Sequence, residues 1–206
     1  MNTNTEQIFN SLKKTLDSYY PISEKTWEEF KSICTIKEIK KNKYAFELYD
    51  KVDAFSYVYK GLFRTFSFNE KAEEYTRKFF WETKFYGPMV ALLYKKPINA
   101  IVQAIEDSIV IDIKHDKYRK LLEKYDDLKF FHIFYLEKHW VLEKDDISSS
   151  LVLDNAKQRY IKFNKDFENI IKRIPKYYIA SYLGISPTHL SRIRKDLKNQ
   201  NIIISS

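Results

Sequence analysis

Glycine is nearly absent from this chain, three residues in 206, and with it goes any glycine-rich loop able to wrap a nucleotide phosphate. Only five prolines are present, which together with the scarce glycine leaves little room for flexible linkers. The single cysteine, Cys34, excludes an internal disulfide and a multi-cysteine zinc or iron–sulfur site, so its expected role is that of a buried structural thiol. Histidine is scarce as well: His115, His132, His139 and His189 all lie outside residues 36–113. A cupin-type metal site, which needs two histidines and a carboxylate converging from strands, therefore has no ligands in that stretch. His132 and His139 stand two helical turns apart, and packing or a dimer contact is their expected use ahead of metal binding. No apolar run approaches the roughly 20 residues of a membrane span, and the start MNTNTEQIF lacks a secretory signal pattern. The expectation is a soluble cytoplasmic protein with no membrane partner. No GxSxG elbow and no paired metal-ligand motif appears, and nothing nominates a catalytic carboxylate pair, so no enzyme activity, catalytic residue or metal is expected.

What the chain does have is aromatic mass and unevenly placed charge. Sixteen Tyr and fifteen Phe in a chain that is 44% hydrophobic can build one medium domain plus a small one. Residues 156–206 hold eleven basic and three acidic residues, whereas residues 1–155 hold 25 of each, so the whole net charge of +8 sits in the last quarter. A basic surface confined to a helical module suits a phosphate-backbone partner, although lysines that merely solubilise a small module would give the same count.

Along the chain the hydrophobic period changes. Ile8, Leu12 and Leu16 recur at helical spacing, and Ser23 precedes a second helix carrying Trp27, Phe30 and Ile33. From about Ile36 to Ile113, short runs such as SYVYKGLFRTFSF, EYTRKFFW, NAIVQAIED and IVIDI alternate like strands, with polar turns at Tyr49 to Asp53 and Asn69 to Ala72, a pattern that suggests a sandwich or jelly roll. Tyr57, Tyr59, Phe79, Phe80 and Phe85 could line an apolar pocket there, with core packing the expected use. Helices are expected over Asp116 to Tyr125 and from Asp127 to about Lys144. On the longer one, Leu128, Phe131, Tyr135 and Leu142 form one apolar stripe and Phe130, Phe134 and Val141 another, which suits packing on its own domain and on a twin in a dimer, or full burial within one chain. Ser148 to Ser150 marks the expected hinge into the basic tail.

Within that tail, Ile174 to Asn199 (IPKYYIASYLGISPTHLSRIRKDLKN) reads as two short helices around a glycine turn. Ala180 falls where the helices would cross, Gly184 at the turn, and Leu190 and Ile193 on the inner face of the second helix. Gly184 can take the left-handed conformation without the cost of a Cβ, Ser186 can cap the next helix, and Pro187 can start it. Both a DNA-reading helix-turn-helix and an ordinary helical hairpin with a glycine corner fit these residues.

The sum of these segments resembles the cyclic-AMP receptor and fumarate–nitrate regulator family of bacterial transcription factors. The resemblance covers nearly the whole chain; its most specific piece is YIASYLGISPTHLSRIRKDLKNQNII, and Gly61, Gly87 and Gly184 fall at family glycine positions. It implies an α+β fold: an N-terminal β-roll of the cyclic-nucleotide-binding, jelly-roll kind in residues 1–115, a central dimerisation helix in 116–148 and a C-terminal winged helix-turn-helix in 149–206. It also implies a homodimer on a pseudo-palindromic double-stranded DNA site that controls transcription initiation with RNA polymerase. By the same resemblance Arg192 holds the base-reading arginine position, Thr188 replaces a glutamate, Pro187 replaces a frequent arginine, and Lys176 matches a phosphate-binding position. Beside it, the exposed positions of a helix capped at Ser186 are Pro187, Thr188, Ser191, Arg192 and Lys195, with His189 able to reach a base or phosphate. For the lysines, including Lys198, a solvated surface role fits equally.

Departures from the family matter too. Cyclic-nucleotide-binding members carry a glycine-glutamate pair and then an arginine before a small polar residue; here Gly87 is followed by Pro88, and Ile98 and Asn99 stand at the second site. A buried phosphate with no counter-charge is costly, so tight cyclic-AMP binding is not expected, no cofactor is predicted, and the effector pocket is degenerate. One histidine could suffice for haem, yet no pattern supports it. The competing function is a small-ligand-binding β-roll protein whose helical tail contacts proteins rather than DNA.

Overall fold

A computed structural model describes residues 4–48, 50, 52–96, 98, 100–142 and 155–200. Asn4 opens the first helix by accepting the Glu6 amide at 3.0 Å, and α1 (Thr5–Asp17) buries Ile8, Leu12 and Leu16, the residues of the helical repeat. Ser23 caps α2 (Glu24–Ser32), which buries Trp27 and Phe30. Eight strands follow among the described residues: β1 (Cys34–Ile39), β2 (Tyr44–Phe46), β3 (Ala54–Lys60), β4 (Phe63–Phe68), β5 (Glu74–Phe80), β6 (Phe85–Tyr86), β7 (Ile101–Ala104) and β8 (Ser108–Lys114). They form two four-stranded sheets ordered β1-β8-β3-β6 and β2-β7-β4-β5.

The antiparallel register of β3 on β8 pairs Tyr57 with Ile111 and Val58 with Val110, and successive side chains leave on opposite faces. Tyr57, Ile111 and Ile113 join Leu12, Leu16, Phe30, Tyr118 and Phe131 in a core beneath the helices. Val58 and Val110 instead join Phe63, Tyr86, Val102 and Ala104 in a second core. A strand pair covered on both faces explains why IVIDI is nearly continuous in apolar residues. Tyr57 and Phe79 are fully buried and Tyr59, Phe80 and Phe85 partly so, which places these aromatics in packing. Cys34 opens β1 half-buried, its thiol donating to the Phe30 carbonyl at 3.2 Å, and burial pushes its pKa up to about 12.

Two helices depart from the sequence expectation. Met89–Tyr94 forms α3 inside the stretch read as strands, because MVALLY lacks the alternation of a half-buried strand and supplies good helix formers. The long helix begins at Asp126 as α5 (Asp126–Leu136), after α4 (His115–Lys124), and passes at Glu137 into a π-helical turn that runs to Leu142. Its expected continuation to Lys144, the Ser148–Ser150 hinge, Tyr49 and the start of the wing at Asn201 lie outside the described residues. Leu128 and Phe131 are buried, and Phe130, Ile133 and Phe134 are exposed, so α5 has two apolar sides as its sequence indicates. Beyond residue 155 come α6 (Ala156–Asp166), a 3₁₀ turn (Ile171–Arg173), α7 (Lys176–Leu183) and α8 (Pro187–Asn199). The chain divides into two compact units, Met1–Arg64 with Phe79–Glu143, and Thr65–Lys78 with Lys144–Ser206.

Candidate nucleic-acid interface

In the second unit, the turn between α7 and α8 is built from backbone hydrogen bonds. Gly184 takes φ +67° and ψ +33°, its N–H donates to the Ser181 carbonyl at 3.2 Å, and the Ile185 N–H donates to the Ala180 carbonyl at 3.0 Å. This pair of bonds satisfies carbonyls that the end of α7 would otherwise leave open. Ala180 has no exposed surface, consistent with a close helix crossing. On the far side of the turn, the Ser186 hydroxyl accepts the His189 amide at 3.1 Å, and Pro187 occupies the first helical position, where no N–H is needed.

With the axis of α8 fixed in this way, its two faces separate cleanly. Leu190, Ile193 and Leu197 are buried, and Ser186, Pro187, Thr188, His189, Ser191, Arg192 and Lys195 are exposed. Lys176 is exposed at the first position of α7, whose preceding residue, Pro175, provides no side-chain cap. The first amides of α7 therefore lie beside a cation, an arrangement suited to an anion. Among the described residues, Lys176, Arg192 and Lys195 hold no ion pair.

Four details were not apparent from the sequence. Arg159 on α6 sends its Nη2 to the Leu183 carbonyl at 3.3 Å, so this guanidinium caps α7; the positive charge of the tail is partly structural. Lys157 likewise donates to the Gln200 side chain at 2.6 Å. Ser181 on α7 receives the Thr76 amide at 2.9 Å and donates to the Glu74 carbonyl at 3.1 Å, fastening β5 to the helix. Tyr177, which follows Lys176 in the first turn of α7, is 55% exposed; the YY pair at the helix start was the only signal for it.

The degenerate cassette lies in the other unit. A Cβ added at Gly87 would sit 2.7 Å from the Phe55 Cβ, so the backbone there packs directly on β3. Pro88 precedes α3, Ile98 is buried, and Asn99 lies outside the described residues. Val90, Leu93 and Tyr94 of α3 face solvent. The histidines of the central helix are engaged by tyrosines: His139 Nε2 with the Tyr19 hydroxyl at 2.6 Å, and His132 Nδ1 with the Tyr118 hydroxyl at 3.0 Å.

No protein-family model matches the chain, and no curated protein sequence is detectably similar to it. Solved structures are. CLP of Xanthomonas campestris, described as a c-di-GMP-responsive global regulator, superposes with a TM-score of 0.71 at 15% identity over 89% of this chain and 96% of that one. FixK2 from Bradyrhizobium japonicum gives 0.68 at 16% identity over 84% and 89%. The catabolite activator protein of Thermus thermophilus gives 0.54 at 16% identity over 93% and 90%. These neighbours are Crp/Fnr-family regulators. The chain has the Crp/Fnr fold. Its antiparallel sheets match the cyclic-nucleotide-binding domains of these neighbours, which are transcription regulators and not enzymes. No helix among the described residues is long and apolar enough to cross a membrane.

Proposed function

We propose that this protein is a sequence-specific, double-stranded-DNA-binding transcription regulator of the Crp/Fnr type. In this reading it acts in the cytoplasm as a homodimer and works with RNA polymerase. Residues 1–115 are the sensor-like β-roll, 116–148 the dimerisation region and 149–206 the winged helix-turn-helix. The observation that carries the reading is the exposed face of α8, where Thr188, His189, Ser191, Arg192 and Lys195 point outward from a helix anchored by Leu190, Ile193 and Leu197. A helix with a short polar and basic ridge, started by a rigid cap, suits the major groove. Arg192 can offer two parallel donors to guanine, while Lys176 and Lys195 act as point charges toward phosphates. Homodimerisation is supported by Phe130, Ile133 and Phe134, three apolar side chains exposed along one helix. The counterpart of the phosphate cassette, Gly87, Pro88, Ile98 and Asn99, supplies no guanidinium, so tight cyclic-AMP binding is not expected; calorimetry giving micromolar affinity would overturn that.

A binding-site selection followed by footprinting tests the main claim. Half-sites centred about one helical turn, roughly 34–36 Å, apart are expected. Arg192→Ala should lower discrimination by about 1–3 kcal/mol at one base pair. Unchanged affinity and unchanged sequence preference in that variant would refute the assignment.

A further inference from the structure

The outward face of α8 is aimed by the angle between α7 and α8, and that angle is held from α6 as well as from the turn itself. α6 opens on a reciprocal cap: the Gln158 amide donates to the Asn155 side chain at 3.0 Å, and the Asn155 amide donates to the Gln158 side chain at 2.8 Å. Two amides that would otherwise lack partners are satisfied, which fixes the first turn and the directions of the side chains leaving it. Lys157 and Arg159 both start there. Residues two apart on a helix point to different sides, so the pair reaches two targets. Lys157 Nζ donates to the side chain of Gln200, the C-cap of α8, at 2.6 Å, and Arg159 Nη2 donates to the carbonyl of Leu183, the last residue of α7, at 3.3 Å.

Both targets are helix C-termini. The last carbonyls of a helix have no intrahelical partner and form the negative end of its dipole, so a cation is attracted there and supplies a missing donor. At the end of α7 the Ala180 carbonyl accepts the Ile185 amide, the Ser181 carbonyl accepts the Gly184 amide, and the Leu183 carbonyl accepts the Arg159 guanidinium. Apolar contact joins the same elements: the Phe163 ring of α6 lies 5.2 Å from that of Tyr182 on α7, and Leu197 near the end of α8 is fully buried. Burial is non-directional and sets how close the helices lie, whereas a directed bond at one end of each helix also opposes rotation and sliding.

We propose that Lys157 and Arg159 are positioning residues for DNA sequence discrimination: from one turn of α6 they hold the ends of α7 and α8 so that the outward face of α8 meets base edges in register. The inference rests on the DNA-binding reading and deepens it. A cation in this role has a different signature from one on a phosphate. A phosphate contact adds to the affinity for every sequence and to the salt slope. A clamp adds to base-edge hydrogen bonds alone, because these weaken steeply with misalignment while charges act at a distance.

The test measures full-length Arg159→Met, Arg159→Lys, Lys157→Met and Gln200→Leu variants on the selected site and on a scrambled duplex across a salt series, with amide hydrogen exchange recorded without DNA. Arg159→Met is expected to lower the ratio of specific to non-specific affinity about tenfold, with the non-specific affinity and its salt slope close to those of the wild type. Exchange at the Gly184 and Ile185 amides should quicken about tenfold in the same variant. Arg159→Lys, which keeps the charge and a donor, should recover part of both losses. Lys157→Met and Gln200→Leu act on an exposed bond and should each lower the ratio by about two- to threefold, and together by no more than either alone, since both remove the same bond. That pair decides the matter even if the Arg159 variants fail to fold. An unchanged ratio in Arg159→Met, a uniform loss with a salt slope reduced by about 1, unaltered exchange at the turn, or additive losses in Lys157→Met and Gln200→Leu would each overturn the proposal. A wild type without sequence-selective binding, with turn exchange still faster in Arg159→Met, would refute the DNA-binding reading while supporting the clamp on α7.

Discussion

The β-roll unit and the helical unit use charge in opposite ways. In the first, many cations are matched at home, among them Lys114 with Asp53 at 2.6 Å, Lys124 with Glu29 at 2.6 Å and Lys37 with Asp112 at 2.5 Å. In the second, Arg159 donates to a backbone carbonyl and Lys157 to the Gln200 side chain, and Lys176, Arg192 and Lys195 point outward without an ion pair among the described residues. An exposed cation without an internal carboxylate is open to water or to an external anion. The difference therefore separates residues that hold the fold from the residues that the proposed function directs to DNA.

If the two units also fold separately, a cavity in one should spare the other. Leu190 is 2% exposed, and Leu190→Ala should destabilise the helical unit by about 3 kcal/mol through lost burial and an unfilled cavity. The chain's three tryptophans, Trp27, Trp81 and Trp140, all lie in the other unit, so their fluorescence reports on that one alone. The expected outcome is an early loss of helical circular dichroism with an unmoved tryptophan transition and abolished DNA binding. Coincident transitions would break the comparison and make the chain one cooperative body.

Gly184→Ala addresses the turn more narrowly. Nothing lies within 4 Å of an added Cβ, so the substitution meets no clash and its cost comes from φ +67° alone, about 1–2 kcal/mol. Urea melts followed by circular dichroism should show that loss, and DNA affinity should fall because the angle between α7 and α8 is what aims the exposed face. Stability lost without any change in DNA affinity would mean that the turn only supports the fold.

How far these features could be read from the sequence depended on how local they were. The Ile8, Leu12 and Leu16 spacing, the Ser186 cap, Pro187 and Gly184 each depend on neighbours within a few residues, and each appears in the structure as its sequence suggests. The bond from Ser181 to the β5 backbone spans 105 residues and depends on tertiary placement that no periodicity encodes. Arg159 counted as one more positive charge until α6 packed on α7 and directed it to Leu183. Helix α3 was not singled out within the strand-like stretch because its short apolar run fits a buried strand as well as a helix.

Lys176→Ala sharpens the comparison at the level of a single charge. Lys176 is exposed and its removal should leave stability within about 0.5 kcal/mol. Affinity for all DNA sequences should weaken alike, and the slope of log affinity against log salt should fall by about 1. A sequence-dependent loss would instead place Lys176 on a base edge.

The smallest expected effect belongs to Asp127, where the β-roll unit binds a carboxylate with backbone rather than with lysine. Its Oδ2 accepts the Ser23 amide at 2.9 Å, and its Oδ1 accepts the Thr26 hydroxyl at 2.9 Å and the Leu128 amide at 2.8 Å, joining the start of α2 to the start of α5. Partial burial raises the carboxyl pKa, but the hydrogen bonds from Ser23, Thr26 and Leu128 outweigh it and hold the group below the usual carboxylate range. Because the folded value is the lower one, the carboxylate's contribution is complete above the unfolded pKa, roughly 4, and disappears as pH falls through the folded value. Asp127→Asn should therefore cost about 1 kcal/mol at neutral pH, given the group's solvent exposure, with the gap to the wild type closing below about pH 4. Tryptophan-monitored urea melts between pH 3 and 7 measure this directly. A gap that stayed constant across the range would mean that Asp127 contributes through shape alone, and that α2 and α5 are joined by packing rather than by charge.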